Sequence, residues 1–464
     1  MRVQSGIEKL EAEVNALADS PARGRLAQLF DDGLYTELER FAKNGDAAAE
    51  VICAYGYVSG SPAYAFSQDA SVAFGAMGRA QAEKIARLYK KAAQTGLPVF
   101  AIYDSNGAHV GEGVGALAAY GELIAASNNL SGVVPQISLV LGSCIGSAAV
   151  LAGAADIVIM SKDAELYVTS GKILGDKKVG SAALAAQNGT AHIVTEDEAT
   201  AIDAARLAIT LLPANNLSVA PAADYVQAEA AANGADTMAV LASIVDGGSA
   251  LELCRDFAPC IYTALCRIGG NAVGVVATVK GEKEGRVCAA GCAKAARFVR
   301  LCDAFTIPVV TLVDTMGFDV TAESELSGGV KAMTTLTHAY AEATTPKISL
   351  ITGNAVGAAY IALAGPVSGA DVTLAFPDAM ISALEPMTAV SVLYADRLAK
   401  GEDRKTLEAE YASCDAGVFA AAAEGYVDDV IRPEEAFAKV TSALEMLSGK
   451  RASTLDKKHS NMPL

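Results

Sequence analysis

The chain has 464 residues and a formal net charge of −17, and 52% of its residues are apolar against 19% charged. That length exceeds what one hydrophobic core usually organises, so we expect two or three domains. An acidic chain repels the phosphates that a nucleic-acid binder must neutralise, so nucleic acid is not expected as a partner. The high apolar fraction excludes intrinsic disorder and predicts extensive burial, in part at subunit interfaces.

The nine cysteines are scattered along the chain, and their odd number excludes a fully paired disulfide framework. Only Cys288 and Cys292 lie close together in sequence, and no second pair completes a zinc-binding spacing. The opening segment, MRVQSGIEKLEAEV, is charged and lacks the apolar region of a secretory signal. These features predict reduced, mostly buried thiols, no metal site and a cytoplasmic location.

In chain order, the first predicted element is a helical arm within residues 1–45. A helix over Gly78–Gln94 follows, with Gly96 as its C-terminal stop. A strand over Val99–Tyr103 comes directly after this helix. Helices that alternate with apolar strands in this way predict an α/β fold.

Two later segments, Ile137–Met160 and Ile348–Phe376, are long and apolar enough to raise the question of a membrane span. Both contain an aspartate, and in both the valine and isoleucine runs bracket a middle rich in glycine and alanine. This pattern favours a strand, a turn, a buried helix and a second strand over a membrane-spanning helix.

The chain contains one long internal repeat. Pro98 and Asp104 in LPVFAIYD correspond to Pro308 and Asp314 in IPVVTLVD, each pair 210 residues apart. The offset stays nearly constant through further landmarks, with only small insertions: Lys84/Lys294, Arg87/Arg297, Pro135/Pro346, Gly142/Gly353, Gly146/Gly357, Asp156/Asp371 and Asp163/Asp378. The repeat predicts two homologous domains of ordinary size. We place them at 46–212 and 246–450, with an arm at 1–45, a connection at 213–245 and a tail at 451–464.

Strong catalytic side chains do not cluster in the sequence. None of the four histidines lies in an HExxH motif, and neither a GxSxG elbow nor a P-loop is present. These absences disfavour a metal-dependent or triad hydrolase.

What the two halves share instead is a pair of turns built from small residues. A Ser105–Ala108 turn follows the first Pro-led strand, and a Gly142–Ala149 segment follows the next one. Such turns can present two backbone N–H groups to one oxygen, which makes an oxyanion hole. Small residues at these positions also serve close packing of a helix on a strand, and the sequence leaves both interpretations open.

Several long motifs in a fixed order make the chain recognisable: ARGRLAQLFDDGLYTEL (22–38), FSQDASVAFGAMG (66–78), DSNGAHVGEGV (104–114), VPQISLVLGSCIGSAA (134–149), DFAPCIYTALCRIGG (256–270), KAARFVRLCDAFTIPVVTLVDTMGF (294–318), TPKISLITGNAVGAAY (345–360) and KHSNMPL (458–464). The chain resembles the carboxyltransferase subunit of biotin-dependent acyl-CoA carboxylases and decarboxylases. The resemblance implies an α/β fold of two homologous crotonase-like domains, each of stacked sheets and helices.

The resemblance also implies a reaction. A carboxyl group would move between carboxybiotin on a carrier protein and the α-carbon of a short-chain acyl-CoA, such as acetyl-, propionyl- or methylmalonyl-CoA. The CoA thioester would bind the N-terminal domain, and biotin would bind the C-terminal domain of a neighbouring subunit. Gly146 and Ser147 would stabilise the thioester oxygen with Gly107 and Ala108, and Ala358 and Ala359 the ureido oxygen with Gly317 and Phe318.

Partners follow from what the sequence lacks. No lysine is next to a methionine, so the usual Met-Lys-Met biotin attachment site is missing, and no ATP-binding glycine loop is present. We therefore expect a separate biotin carrier protein, together with a biotin carboxylase or a membrane decarboxylase subunit. The resemblance also implies a homo-oligomer, by family pattern a hexamer.

The chain departs from the family pattern at several positions: Asn106, His109, Ser147, Met316, Glu385 and Thr388. His109 stands where the family commonly has arginine, and it either replaces that contact or lies on the surface. Glu385 and Thr388 stand where relatives carry glycine, which bears on the biotin site.

Two other functions remain open at this point. A crotonase-type hydratase or isomerase would need a pair of acidic residues at the oxyanion site, for which Glu112 is one candidate. A non-catalytic scaffold subunit would fit the departures at Asn106, Met316 and Glu385. Five cations on the first predicted helix could hold the CoA phosphates or lie on a solvated helix face: Arg79, Lys84, Arg87, Lys90 and Lys91.

Overall fold

A computed structural model describes the chain except for residues 1–4, 16, 18, 45–46, 49–50, 229–235, 282–284, 367–368, 453–454 and 464. Parts of the predicted arm, connection and tail therefore lie outside the described residues. The chain divides into two compact units, Met1–Ser218 and Val219–Leu464.

The first unit combines helices with a central sheet. Its helices are α1 Gly6–Asn15, α2 Pro21–Leu29, α3 Arg79–Thr95, α4 Val114–Leu130, α5 Ser147–Gly153, α6 Gly171–Leu174, α7 Ala182–Gln187 and α8 Glu198–Leu211. Its strands are β1 Tyr35–Leu38, β2 Lys43–Asn44, β3 Ala47–Ala48, β4 Val51–Val58, β5 Ser61–Gln68, β6 Val99–Ser105, β7 Gln136–Ile145, β8 Ile157–Ser161, β9 Glu165–Tyr167 and β10 Ile193–Thr195.

The second unit repeats this plan with additional helices. Its helices are α9 Thr237–Ile244, α10 Ala289–Ala304, α11 Ala322–Leu326, α12 Gly329–Glu342, α13 Gly357–Leu363, α14 Pro386–Leu393, α15 Ala395–Ala399, α16 Arg404–Glu410, α17 Val418–Ala423 and α18 Ala436–Leu447. Its strands are β11 Leu251–Glu252, β12 Ile261–Ile268, β13 Asn271–Thr278, β14 Val309–Thr315, β15 Lys347–Val356, β16 Val372–Ala375, β17 Met380–Ser382 and β18 Asp429–Val430.

The sheets of the two units have the same strand order within the described residues. The first runs β1-β4-β5-β6-β7-β8-β10 with β9 also on β7, and the second runs β11-β12-β13-β14-β15-β16-β18 with β17 also on β15. In both, the first two pairings are antiparallel and the rest are parallel. The predicted α/β fold of two homologous domains is confirmed by this duplicated topology.

The two apolar segments fold as predicted. Residues 137–160 contribute to β7, α5 and β8, and residues 348–376 contribute to β15, α13 and β16. The strand residues Ile137, Val140 and Ile157 are fully buried in the first unit, which explains the hydropathy. Among the residues that the structure describes, no helix is long and apolar enough to cross a membrane.

The range predicted as a connection contains a structural element. Helix α9 lies within it, and Val240, Leu241 and Ile244 belong to the hydrophobic core of the second unit. Burial of these three side chains stabilises the unit by the hydrophobic effect, so residues 237–244 are part of its core.

The repeated lysines Lys84 and Lys294 are structural. Each is 5% exposed, and its ammonium donates to backbone carbonyls, that of Val51 in the first unit and those of Cys254 and Phe257 in the second. Burial lowers the pKa of both groups. Lys84 therefore lies neither on a solvated face nor where it could hold CoA phosphates, whereas the other four cations on α3 are exposed.

Candidate active site

The end of β6 carries an aspartate that sets the geometry of its neighbour β7. Tyr103 pairs with Val140, but Ser105 pairs with Cys144, so the register shifts around Asp104. The Asp104 Oδ1 accepts the Ser143 N–H at 3.3 Å. A Cβ on Gly142 would lie 2.2 Å from that oxygen, which explains the glycine at this position.

Arginine from the arm holds this aspartate in place. The Arg25 Nη1 lies 2.8 Å from Asp104 Oδ2, and its Nη2 lies 2.7 Å from Glu198 Oε1. Arg25 is only 7% exposed, so the paired carboxylates satisfy a buried charge. Nothing in the spacing of the sequence pointed to this contact between α2 and the end of β6.

The second unit repeats the arrangement with a different cation. Asp314 Oδ1 accepts the Asn354 N–H at 2.8 Å, and a Cβ on Gly353 would lie 2.6 Å from the same oxygen. Here Lys280 provides the cation, with its Nζ 3.0 Å from Asp314 Oδ2. The repeated Asp and Gly of the sequence thus shape the strand ends on which the turns stand.

The turn after β6 uses most of its own hydrogen-bonding groups. The Gly107 N–H donates to Ser105 Oγ at 3.1 Å, and the Gly107 carbonyl accepts the Met77 N–H at 2.8 Å. The His109 N–H donates to the Met77 carbonyl at 2.8 Å. The Ala108 N–H between them has no acceptor among the described residues.

The turn after β7 is built on Gly146. Its φ is +64°, a conformation that favours glycine, and its N–H donates to the Tyr167 carbonyl at 2.8 Å. A Cβ at Gly146 would meet no atom within 4 Å, so the turn faces open space. Ser147 begins α5, and its N–H has no acceptor among the described residues, as is usual at a helix start.

These contacts revise the expected donor set of the first unit. Gly146 and Ser147 were expected to donate to the substrate oxygen with help from Gly107 and Ala108, but the N–H groups of Gly146 and Gly107 already donate within the protein. Their glycines shape the turns instead. Ala108 and Ser147 keep available N–H groups. The two turns lie next to each other, as shown by the 3.0 Å between the Cβ position of Gly107 and the Ile145 carbonyl oxygen.

The second unit presents the same arrangement. The Gly317 N–H donates to Thr315 Oγ1 at 3.1 Å, while within the described chain the N–H of Phe318 has no acceptor. Gly357 has φ +61°, matching Gly146. Of the predicted donors that follow it, Ala358 is exposed and Ala359 is fully buried, and neither N–H has an acceptor in the described part of the chain.

An ion pair distinguishes the second unit from the first. The Arg286 Nη2 lies 2.5 Å from Glu385 Oε1, and its Nη1 donates to the carbonyls of Met316 at 3.1 Å and Phe318 at 3.5 Å. Arg286 thus joins the segment before α14 to the 316–318 turn. The repeat places Ala76 and Ser170 at the equivalent positions of the first unit, where no such pair is possible.

Side chains near the first turns have structural roles. Glu112 Oε2 accepts the Arg79 N–H at 2.8 Å and so caps α3, which leaves it poorly placed as an acid of a hydratase. Burial raises the pKa of the Cys144 thiol, which stays protonated near neutral pH. His109 is half-buried, and its buried Nδ1 has no partner among the described residues.

Comparison with known proteins decides the family. The family model for the carboxyl transferase domain matches residues 19–462. The chain belongs to the carboxyl transferase family. The methylmalonyl-CoA decarboxylase subunit alpha of Propionigenium modestum is 33% identical, with 99% of this chain and 96% of that protein covered. The propionyl-CoA carboxylase beta chain of Saccharopolyspora erythraea is 35% identical, with 100% and 94% covered.

A solved structure agrees with this assignment. The transcarboxylase 12S crystal structure, a hexamer with methylmalonyl-CoA and methylmalonic acid bound, superposes with a TM-score of 0.90. It is 33% identical, and the match covers 99% of this chain and 94% of that one. The prediction of an acyl-CoA carboxyltransferase built on crotonase-like domains is therefore confirmed.

Proposed function

We propose that this carboxyltransferase moves a carboxyl group between carboxybiotin on a separate carrier protein and the α-carbon of a short-chain acyl-CoA. Acetyl-, propionyl- and methylmalonyl-CoA are the acyl-CoA candidates. The observation that carries the proposal is the duplicated pair of turns, each with backbone N–H groups that have no acceptor among the described residues. Two such sites suit a reaction in which charge develops on two different oxygens.

In the first unit, the proposed donors are the N–H groups of Ala108 and Ser147. They would donate to the thioester oxygen as the α-proton leaves, and so stabilise the enolate of the acyl-CoA. Gly107 and Gly146 support these donors through the turn conformations that they allow. Glycine at position 146 leaves the space beside the Ser147 N–H free for the oxygen, because a Cβ there would project into that space.

In the second unit, the N–H groups of Ala358 and Ala359 are the proposed donors to the ureido oxygen of biotin, aided by the Phe318 N–H, and Gly317 shapes the turn before Phe318. Bound biotin supplies the carboxyl group and, once CO2 has left, a ureido group that takes the α-proton. The residues present fit this role because their N–H groups have no acceptor in the described part of the chain. No side-chain base of the protein is required, in agreement with the protonated Cys144 and the capping role of Glu112.

The proposed partners follow from the same reaction. A biotin carrier protein would bring biotin to the second unit, and a biotin carboxylase or a membrane decarboxylase subunit would load or unload it. The hexameric assembly of transcarboxylase 12S supports a homo-oligomer for this chain.

A transfer assay tests the proposal. Purified protein is mixed with a carboxylated biotin carrier and labelled acetyl- or propionyl-CoA, and in the reverse direction with methylmalonyl-CoA and the uncharged carrier. We expect biotin-dependent movement of label into or out of the CoA thioester. Hydration of an enoyl-CoA without biotin would favour a hydratase, and stable carrier binding without turnover of any acyl-CoA would favour a scaffold.

Replacing His109 tests whether the proposed site needs a side-chain acid or base. We expect His109→Ala to lower kcat/KM by less than about tenfold, because the backbone donors remain. A general acid or base would cost about 10²–10⁴-fold. Steady-state kinetics with saturating carrier make the distinction, and a loss of several orders of magnitude would assign His109 a catalytic role.

A further inference from the structure

Two cysteines that are far apart in sequence meet in the second unit. The Sγ atoms of Cys260 and Cys288 lie 3.0 Å apart. Cys260 directly precedes β12, and Cys288 is the N-cap residue of α10. Both residues are partly exposed.

Comparison of the two repeats shows that the second unit alone accommodates this pair. The equivalent of Cys288 is Gly78, and the equivalent of Gly291 is Gln81, which is buried and accepts from Gln68 Nε2 at 2.9 Å. A Cβ on Gly291 would lie 2.6 Å from Cys260 Sγ. The missing side chain at position 291 therefore provides the space in which the sulfur of Cys260 lies.

The surroundings of the two sulfurs give them different reactivities. Cys288 Sγ accepts the Gly291 N–H at 3.4 Å. The hydrogen bond between the two thiols, together with backbone N–H groups of the first turn of α10, lowers the pKa of Cys288. The same hydrogen bond and burial raise the pKa of Cys260. Cys288 is therefore the more acidic thiol of the two, whereas burial raises the pKa of Cys292, the other cysteine whose charge acts on this pair.

We propose that Cys260 and Cys288 form a peroxide-sensitive dithiol that closes to a disulfide. The Cys288 thiolate attacks hydrogen peroxide, the O–O bond breaks, and a sulfenic acid and hydroxide form. The Cys260 thiol then attacks this sulfur, an S–S bond forms and water leaves with the Cys260 proton. The two thiols lose two electrons to the peroxide, and a dithiol reductant reverses the reaction.

The disulfide would act on the 316–318 turn through one intervening residue. Val287 precedes Cys288, its N–H donates to the Gly317 carbonyl at 3.0 Å, and its carbonyl accepts the Asp319 N–H at 3.0 Å. Closing the S–S bond draws the start of α10 toward β12 and shifts Val287. We therefore expect oxidation to lower the rate of carboxyl transfer. This effect rests on the proposed function, but the formation of the disulfide does not depend on it.

Peptide mapping of the intact protein tests the chemistry. The protein is treated with hydrogen peroxide, alkylated, digested without reductant and analysed by mass spectrometry. We expect a linked peptide that joins Cys260 to Cys288, which dithiothreitol removes. Cys414→Ser is the matched control, because Cys414 is exposed, and it should leave the linked peptide unchanged. Failure to find the linked peptide in the wild-type protein would overturn the proposal.

A pH profile separates the dithiol from two unconnected thiols. In wild-type protein the midpoint for alkylation of Cys288 should lie below that of a free cysteine, and in Cys260→Ala it should move up toward about 8.5, the free-cysteine value. Equal midpoints in the two proteins would contradict the pairing. Cys288→Ser retains a helix-capping side chain and should make transfer insensitive to peroxide. If no transfer is measurable at all, the mapping and the pH profile still decide the inference.

Discussion

Replacing Gly146 with valine should abolish carboxyl transfer while the protein remains folded. The Cβ of the new side chain would enter open space beside the Ser147 N–H, where the thioester oxygen is proposed to bind. Loss of one oxyanion donor alone costs about 10²–10³-fold in kcat, and a side chain that also blocks the oxygen should cost at least that.

The same substitution carries a conformational cost that needs a control. Valine at φ +64° is strained, by about 1–3 kcal/mol. Gly60 has φ +78° with no atom within 4 Å of its Cβ position, and it lies at the amino end of β5, opposite the strand ends that carry the turns. Gly60→Val should therefore show a comparable loss of stability in thermal unfolding but keep its transfer activity.

The two variants together make the prediction decisive. If Gly146→Val transferred carboxyl groups at the wild-type rate, the first turn could not be the site of the thioester oxygen. If Gly60→Val lost transfer as completely as Gly146→Val, the loss would follow from backbone strain, not from a blocked site.

The sequence predicts well what repeats along it. The constant offset between Asp104 and Asp314 predicted two copies of one topology, and the sheets have the same strand order. The Gly/Ala-rich middles of the apolar segments predicted the short helices α5 and α13. These features depend on local pattern and on the comparison of one half with the other, both of which a single sequence contains.

Contacts between distant segments were not predictable in the same way. Arg25 forms an ion pair with Asp104, which is 79 residues away in sequence, and Cys260 contacts Cys288, which is 28 residues away. Which N–H groups are already used was also hidden, because Gly146 donates to a carbonyl of β9 that only folding brings near. Of the four residues expected at this site, Ala108 and Ser147 therefore keep available N–H groups, whereas those of Gly107 and Gly146 are already used.

The repeat does give one signal for such contacts. Where equivalent positions carry a small side chain in one half and a charged side chain in the other, the two sites differ. Ala76 against Arg286 and Ser170 against Glu385 form such a set, and the structure joins the two charged members in an ion pair. Neither position alone indicated the other, since arginine and glutamate are common on protein surfaces.

Breaking this ion pair should impair the second site more than the fold. Arg286→Ala removes the donor to the Met316 and Phe318 carbonyls, which frees the turn that carries the proposed Phe318 donor. Misplacement of a positioned group by about 1 Å can cost about 10²-fold in rate, and we expect a loss of that size. The loss should fall on transfer to or from the biotin carrier, with acyl-CoA binding by calorimetry unchanged.

A double-mutant cycle shows whether the pair acts as a unit. The side chains of Arg286 and Glu385 are 15% and 26% exposed, so their coupling in unfolding experiments should fall within about 0.5–3 kcal/mol and exceed that of an exposed pair. Lys439 and Asp429 are 45% and 46% exposed and supply the control pair, with an expected coupling of about 0.2–1 kcal/mol.

Exchange of the two charges is the most informative variant, because it restores the ion pair without restoring the carbonyl contacts. Arg286→Glu alone places two carboxylates together and should lose transfer, and adding Glu385→Arg should regain stability. If the pair positions the turn through the Met316 and Phe318 carbonyls, the exchanged protein will be stable but still slow, since glutamate cannot donate to a carbonyl. Full recovery of transfer in the exchanged protein would instead show that charge neutralisation, not the anchoring of the turn, is what the second site requires.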